Sequence, residues 1–564
     1  MKLELDESRR LTGPNLLWNF PGAIIDVFVD EVDKHQVAQT WQNQAKSLCD
    51  ELGWTAAQST YRIHTHGISM AISAPMDALY TACELAQHAW EIVVAELRKE
   101  EHPDKGAIIA KLKEELQREV NPKLLQIIQC AHEKGVTCIT DDDYLSLGMG
   151  ATVDTWPVKE LPDSDAICWS KYQDVPLAFI TGTNGKSTSV RLAAQIAKCA
   201  GLSAGVTSTD FIKVGEHIID TGDYSGPGGA RMLVRDSRTE IAFLEVARGG
   251  ILRRGLPVNR VDAALVTNVA ADHLGQYGID TVEELSEAKF VVAKGLDNTG
   301  TLVLNADNEL SVAQSQHYKG TICWFSESEN NYLVQENLTN GEPAVFSHRG
   351  DLVYFNGKTL DRLCAIDSVP MTFGGHAHHN IQNALGVIGL CFALGFERQH
   401  IIAGLQQFAS NAQDNPGRGN LYDINEAKYI VDFAHNEHSM KAVVAMASKI
   451  PATQRIVMFG HAGDRTDAEI QHLTEAVAGL DAEIYITSEV GKYLRGREPG
   501  EVPGLSKHFL MQTGIEEDKI LFSASPLAGA QMALELAKPG TVVLLFTLCD
   551  REAVQQLLEQ QPKV

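Results

Sequence analysis

No apolar run in this 564-residue chain approaches the roughly 18 residues that a membrane-spanning helix needs, so no membrane span is expected. The opening segment, MKLELDESRRLTG, is charged and has no apolar h-region, so no secretory signal is expected. Cysteine is scattered, with ten residues (Cys49, Cys83, Cys130, Cys138, Cys168, Cys199, Cys323, Cys364, Cys391 and Cys549) and no C-x-x-C pair. That distribution argues against a disulfide framework and fits free thiols in a reducing cytoplasm. Basic charge is short: 48 Lys plus Arg stand against 73 Asp plus Glu, a net charge of −25. Such an excess repels nucleic-acid phosphates, supports solubility and is compatible with basic or zwitterionic ligands. The expected partners are therefore small molecules, not nucleic acid and not membrane, and a homo-oligomer is left open. Internal repeats and low-complexity tracts are absent as well.

What is present is ordinary globular material, with 44% apolar residues and a length that suggests three or four domains. The first 160 or so residues read as α/β. AIIDVFVD (23–30) has the pattern of a strand, whereas 75–101 and 106–120 carry helical spacing. The stretch 151–167 holds two prolines and little periodicity, which places a boundary near 163. Beyond it strands and helices alternate. VPLAFIT (175–181), EIAFLEV (240–246) and DAALVTN (262–268) are continuous apolar runs suited to central parallel strands. A second boundary falls near SNAQDNPGRGN (410–420), after which KYIVDFA, RIVMFG, AEIYITS and GTVVLLFT read as four strands of a further parallel sheet. The chain thus divides into 1–163, 164–415 and 416–564.

The stretch ITGTNGKST (180–188) lies between a buried strand and a helix. It ends as a phosphate-binding loop does, but Ile180 occupies the place where G-x-x-x-x-G-K-[ST] has its first glycine. Amides at a helix N-terminus favour anions. Gly182 and Gly185 allow close approach of the main chain, Lys186 offers positive charge to the outer phosphates, and Ser187 offers a hydroxyl to Mg²⁺. Thr183, Asn184 and Thr188 complete the loop. Glu245 closes the strand of AFLEVARGG, and Asp272 and His273 follow the next strand, so all three fall at the carboxyl edge where ligands bind in parallel sheets.

The segments GTNGKST, TNVAADHLG, EELSEAK, HHNIQNALG, NPGRGN, VDFAHNEHS and FGHAGDR occur in that order. Together they resemble the Mur ligase superfamily, which also includes folylpolyglutamate synthetase and cyanophycin synthetase. The likeness covers about residues 164–564. SGPGGARMLVRD, LEVARGGILRRGL and LRGREPGEVPGL are similar to the versions found in the Mur-like part of cyanophycin synthetase, and LTGPNLLWNFPGAIIDVFVD looks like that family's opening. The ATP-grasp domain that cyanophycin synthetases carry between these parts is missing, and 135–151 looks like a vestige of its entrance.

The resemblance implies an α/β fold: a P-loop central domain with a mostly parallel sheet, a Rossmann-like C-terminal domain and an α/β N-terminal domain. It implies an ATP-dependent ligase that phosphorylates a carboxylate for attack by an amine, with an aspartate-containing peptide as acceptor and a basic amino acid as donor. By that resemblance Ser187 and Glu245 match ligands of a first Mg²⁺. His273 matches a ligand of a second, and Lys289 matches a lysine that many members carbamylate. Asn383 matches the adenine contact, Arg418 and Asp432 match nucleotide contacts from the C-terminal side, and His435 shares their loop. Asp464 and Arg465 look like a segment that swings over the nucleotide, with a hinge near 410–420. Gly226, Gly228, Gly229 and Arg231 lie where related ligases bind the acceptor. Arg495 and Arg497 are candidates for a donor carboxylate. With only one ATP site, a second reading stays open: a nucleotide-binding scaffold or regulatory partner of another ligase. HAHH (376–379) lacks the spacing of a zinc site, and His88 with Glu91 is too little for the hydrolytic site some relatives carry in their N-terminal domain.

Overall fold

The computed structural model describes residues 2–562. Its largest sheet has eleven strands. Seven run parallel in the spatial order Ala204–Thr207, Ile241–Glu245, Leu177–Thr181, Val261–Val266, Leu296–Asn305, Thr321–Ser326, Ala344–His348. Antiparallel pairs close both edges, Phe211–Val214 with His217–Thr221 on one side and Asp351–Phe355 with Leu360–Ala365 on the other. The strand Leu177–Thr181 shows why an unbroken apolar run suits the centre. Leu177 and Phe179 enter the core on one face, and Ala178 and Ile180 enter the core on the other. Four of the seven parallel strands lie beyond the three apolar runs marked in the sequence. The longest, Leu296–Asn305, opens on exposed Asp297, Asn298 and Thr299, which hide its apolar half.

The chain leaves Leu177–Thr181, crosses over to Ala204–Thr207, returns to Ile241–Glu245 and then passes to the opposite side as Val261–Val266. The direction of strand addition therefore reverses around Leu177–Thr181, and a ligand crevice forms at such a reversal.

A second sheet of six strands follows, in the order Arg418–Ile424, Ala427–Asp432, Thr541–Phe546, Gln454–Phe459, Ile484–Ser488, Ile520–Ser523, all parallel except the first. Its two edge strands extend the four apolar runs of the sequence. Arg418–Ile424 is only partly buried and Ile520–Ser523 is four residues long, so neither carries a strong apolar signal.

The N-terminal part is an antiparallel sheet in the order Lys2–Leu11, Gly22–Asp30, Gly67–Ser73, Ser59–His64. Helices Lys34–Glu51 and Leu79–Arg98 share its core. Trp41 is fully buried there, and its indole N–H donates to the Ala86 carbonyl at 3.1 Å. The segment that follows its first strand is bonded to the central part, at the end of helix Arg248–Arg254, through the main chain. Thr12 N–H donates to Arg254 O at 2.8 Å and Leu256 N–H to Pro14 O at 2.7 Å. Lys294 Nζ reaches Asn15 O at 2.6 Å, and Arg62 pairs with Glu284 at 2.7 Å. Residues 135–151 contribute two strands to a small antiparallel sheet, Cys138–Thr140, Tyr144–Leu147 and Asp154–Pro157. Arg235 holds it to the central part through Ser146 Oγ (2.7 Å) and Asp141 (2.5 Å).

Truncation of Trp41 to Ala removes a filled core position and a buried hydrogen bond. It is expected to destabilise the N-terminal sheet by about 3–5 kcal/mol, read as an earlier urea transition in far-UV circular dichroism. An unshifted transition would contradict this packing.

Candidate active site

The loop between Leu177–Thr181 and helix Lys186–Cys199 is shaped by two glycines. Gly182 has φ +145° and a Cβ there would lie 1.9 Å from Thr267 Oγ1; Gly185 has φ +86° and a Cβ would lie 2.1 Å from Asn383 Oδ1. The neighbouring strand end staples the loop. Thr183 N–H donates to Asn268 O at 2.8 Å, Asn184 N–H to Asn268 Oδ1 at 3.0 Å, and Thr267 Oγ1 to Asn184 O at 2.6 Å. Gly185 at the helix N-cap supplies no side-chain acceptor. The first helical amides are therefore left for an anion, and Lys186, Ser187 and Thr188 line a cleft of about 2040 Å³.

Charged groups converge on this loop from three elements. Lys186 Nζ donates to Gly182 O (3.0 Å) and Thr183 O (2.9 Å). Lys289, from helix Val282–Phe290, is 4% exposed and donates to the same Gly182 carbonyl at 2.8 Å. Burial, reinforced by Lys186, pushes the Lys289 amine well below the usual lysine range. Glu245, at the end of Ile241–Glu245, is 2% exposed. Its Oε2 accepts from Ser187 Oγ at 3.0 Å, while its Oε1 has no partner. Burial raises its pKa against the pull of Lys186 and Ser187.

One edge of the cleft carries Asp272, His273 and His435, whose ligand atoms lie within 4.8 Å of one another. Among the described residues these form the single group of three or more side chains with metal-binding geometry. His273 stands in the left-handed region at φ +50°. Burial raises the Asp272 pKa, but His273, His435, Lys186 and Lys289 outweigh it and hold it below the usual range; its Oδ1 accepts no hydrogen bond and faces His273 Nε2 at 3.9 Å. Burial lowers His273 and takes His435 down to about 4.

The C-terminal sheet reaches the same cleft. Asn184 and Asn436 exchange side-chain hydrogen bonds of 3.2 and 2.9 Å, and Asn184 Nδ2 lies 3.0 Å from His438 Nδ1. Arg418 is stacked over the Phe433 ring at 4.6 Å. Asp432 is buried and pushed up to about 6 by burial, and its Oδ1 accepts from Ala434 N–H at 2.7 Å. Arg551 and Arg191 both bind Asp210, the former at 2.9 Å. Arg465 donates to His435 O at 2.7 Å.

Lys186, Glu245, His273, Lys289, Asn383, Arg418, Asp432 and His435 all line this one cleft, as do Asp464, Arg465, Arg495, Gly226, Gly228 and Gly229. Arg495 is paired with Asp464. Arg231 and Arg497 do not line it. Arg231 faces Asp141 at 3.9 Å, and Arg497 is held by Asp467 and Glu501, each at 2.7 Å. His378 of the HAHH stretch bonds to Glu327 at 2.6 Å, and half-buried His379 is pushed down to about 4 by desolvation. The segments TNVAADHLG, LEVARGGILRRGL and VDFAHNEHS contain Asn268, Arg248, Asn436 and His438, yet sequence reasoning gave these four no role, because what places them is contact with residues far along the chain.

A His435 imidazole that titrates near 4 is neutral at pH 5.5, where a free imidazole is mostly charged. Long-range ¹⁵N NMR through pH 8 to 5 is expected to show no protonation of His435. Because the unfolded chain takes up that proton from pH 6.5 downward, this histidine's contribution to stability is complete above 6.5 and is lost as pH falls toward 4.

Residues 180–391 match the Mur ligase middle domain and 417–548 match the Mur ligase glutamate ligase domain. The chain is 34% identical over 390 residues to a cyanophycin synthetase of Synechocystis sp., a match that spans 69% of this chain and 44% of that protein, so less than half of the relative's length is represented. Among solved structures it is similar to E. coli FolC in complex with DHPP and ADP, with TM-score 0.51 and 17% identity over 68% of this chain and 88% of that one. A bifunctional folylpolyglutamate synthase/dihydrofolate synthase with Mn, AMPPNP and L-glutamate bound gives TM-score 0.51 and 16% identity over 68% and 89%. At these identities the structural likeness concerns the fold.

Proposed function

Because this chain belongs to the Mur ligase family through its middle and glutamate-ligase domains, we propose that it is an ATP-dependent amide ligase. A carboxylate oxygen of the acceptor attacks the γ-phosphorus, the bond to ADP breaks, and an acyl phosphate results. An amine nitrogen then forms the C–N bond, losing a proton, and phosphate leaves. The observation that carries this reading is the convergence of Lys186, the Ser187–Glu245 pair and Lys289 on the single loop at Gly182.

The donor set fits Mg²⁺. The orphaned Oε1 of Glu245 and Oδ1 of Asp272 are buried oxygens that call for a cation, and hard oxygen ligands suit that ion. Ser187 and Glu245 would hold one Mg²⁺, and His273 with a carbamylated Lys289 would hold a second. Bound there, Mg²⁺ would neutralise charge on the transferring phosphoryl group. The rest falls to the chain itself. Loop amides and Lys186 cradle the phosphates, and Arg418 approaches them from the C-terminal side. Asn383 lies beside Gly185 to contact the base, while Asp432 and His435 wall the nucleotide. Closing Asp464 and Arg465 over it excludes water from a hydrolysable intermediate. Lys289 is suited to carbamylation because burial and the neighbouring Lys186 disfavour its charged form, and the neutral amine is the form that attacks CO₂. For substrates, the cyanophycin synthetase likeness favours an aspartate-containing acceptor and a basic amino-acid donor, with Arg495 available to the donor carboxylate.

The test is phosphate release from ATP and Mg²⁺ across a panel of amino acids and peptides. Release is expected to require both a carboxylate and an amine partner, to stop with EDTA, and to fall about 10²–10³-fold in Lys186→Ala, the scale of losing one charge-stabilising group. Tight ATP binding with no release for any pair would overturn the proposal in favour of a scaffold. Separately, incubation with ¹³C-bicarbonate is expected to give a carbamate carbon signal in the native protein that is missing from Lys289→Arg; equal spectra would remove carbamylation from the scheme.

A further inference from the structure

The cleft, at about 2040 Å³, is larger than the roughly 300–1,000 Å³ of an ordinary small-molecule site. Its lining continues from the phosphate loop past Gly226, Gly228 and Gly249 to a far wall made by Arg10, Tyr80, Arg253 and Arg254. A Cβ at Gly228 or Gly249 would meet no atom within 4 Å, so the passage between is open.

The far wall carries an excess of positive charge in a chain whose net charge is −25. Helix Arg248–Arg254 carries three arginines facing the cleft. Arg248 donates to His273 O (2.5 Å) and Gln276 Oε1 (2.7 Å), Arg253 to Tyr277 Oη (2.5 Å), and Arg254 to Arg10 O (3.2 Å). None of the three has a carboxylate at ion-pair distance among the described residues. Arg10 adds a fourth guanidinium, stacked 3.9 Å over Tyr80 and partnered by Asp142. The acids that line this end are engaged elsewhere, Glu7 with Arg9 (3.2 Å) and Asp223 with Ser225 Oγ (2.6 Å). Burial and the nearby Arg10 both disfavour the charged form of Arg254, a tension that an anion relieves.

The wall is also rigid. Thr12 N–H to Arg254 O and Leu256 N–H to Pro14 O tie the N-terminal strand to the end of this helix. A Cβ at Gly255 would lie 2.5 Å from Gly13 O, so the two segments touch through bare backbone. Guanidinium groups fixed in this way are set to bind an anion in bidentate fashion.

We propose that Arg10 of the N-terminal domain and Arg253 and Arg254 of the central one form a subsite for a second anionic group of the acceptor. The acceptor is then an oligopeptide with at least one free carboxylate beyond the one that is activated. The N-terminal domain thereby becomes part of the acceptor site. Only the word acceptor rests on the ligase reading above; the anion subsite stands on the arginines.

The test is calorimetric titration of the full chain, with the phosphate loop saturated by ADP and Mg²⁺, using tri-L-aspartate, tri-L-alanine and inorganic phosphate as separate probes. Tri-L-aspartate is expected to bind in a salt-sensitive way and tri-L-alanine not at all. Arg253→Gln/Arg254→Gln is expected to bind tri-L-aspartate about tenfold to a hundredfold more weakly, the worth of one charge-assisted hydrogen bond. The milder Arg253→Gln should show part of that loss should the double variant fold poorly. Binding of phosphate with the same arginine dependence would keep the subsite and make its anion a phosphate. Equal affinity of native and variant proteins for every probe, or equal binding of tri-L-alanine, would overturn the subsite. Tri-L-aspartate binding without ADP binding or phosphate release would sink the ligase reading and leave the subsite standing.

Discussion

A short loop held against buried charge is the constraint on which the site turns. Gly182 offers one carbonyl to two lysines, Lys186 and Lys289, while Glu245 is buried close by with one oxygen unbonded. Isolated charges in such surroundings cost several kcal/mol each. The parallel ladder of Ile241–Glu245, Leu177–Thr181 and Val261–Val266 nevertheless fixes these groups together. An electrostatically unsettled arrangement in a rigid sheet is what phosphate and a divalent cation can settle, and cleft electrostatics of this kind mark functional sites.

The two flanking parts of the chain meet this centre in different ways. The N-terminal sheet is joined by main-chain hydrogen bonds at Thr12 and Leu256 and by the Arg62–Glu284 pair, contacts that resist rearrangement. The C-terminal sheet touches the loop through side chains, Asn436 and His438 against Asn184 and Arg551 against Asp210. Side-chain contacts break more readily than backbone ladders, so the C-terminal sheet is the less firmly held of the two, and the segment near 410–420 joins it to the central sheet.

The sequence made much of the central framework readable, since strands buried on both faces announce themselves as apolar runs and the loop sits between one of them and an amphipathic helix. Edge strands such as Arg418–Ile424 were not readable, because half-exposed strands dilute the apolar signal. Within the cleft, the loop and the strand-end position of Glu245 followed from local pattern. Lys289 did not: a lysine on a helix defaults to the surface, and only family likeness singled it out. Arg231 and Arg497 looked available in the sequence, yet Arg231 faces Asp141 and Arg497 is held by Asp467 and Glu501. Arg10 and Arg254 were invisible as a pair, being 244 residues apart in the chain.

The reciprocal amide contact between Asn184 and Asn436 has a thermodynamic corollary. Asn184 belongs to the phosphate loop and Asn436 caps helix Glu437–Lys449 of the other sheet. If a ligand in the loop alters the energy of that clasp, the docking of the C-terminal sheet must alter the ligand's affinity by the same factor, because coupling between two equilibria is symmetric. The docking equilibrium of one lobe and the occupancy of the other are thus two readings of one free energy, transmitted through a pair of carboxamides.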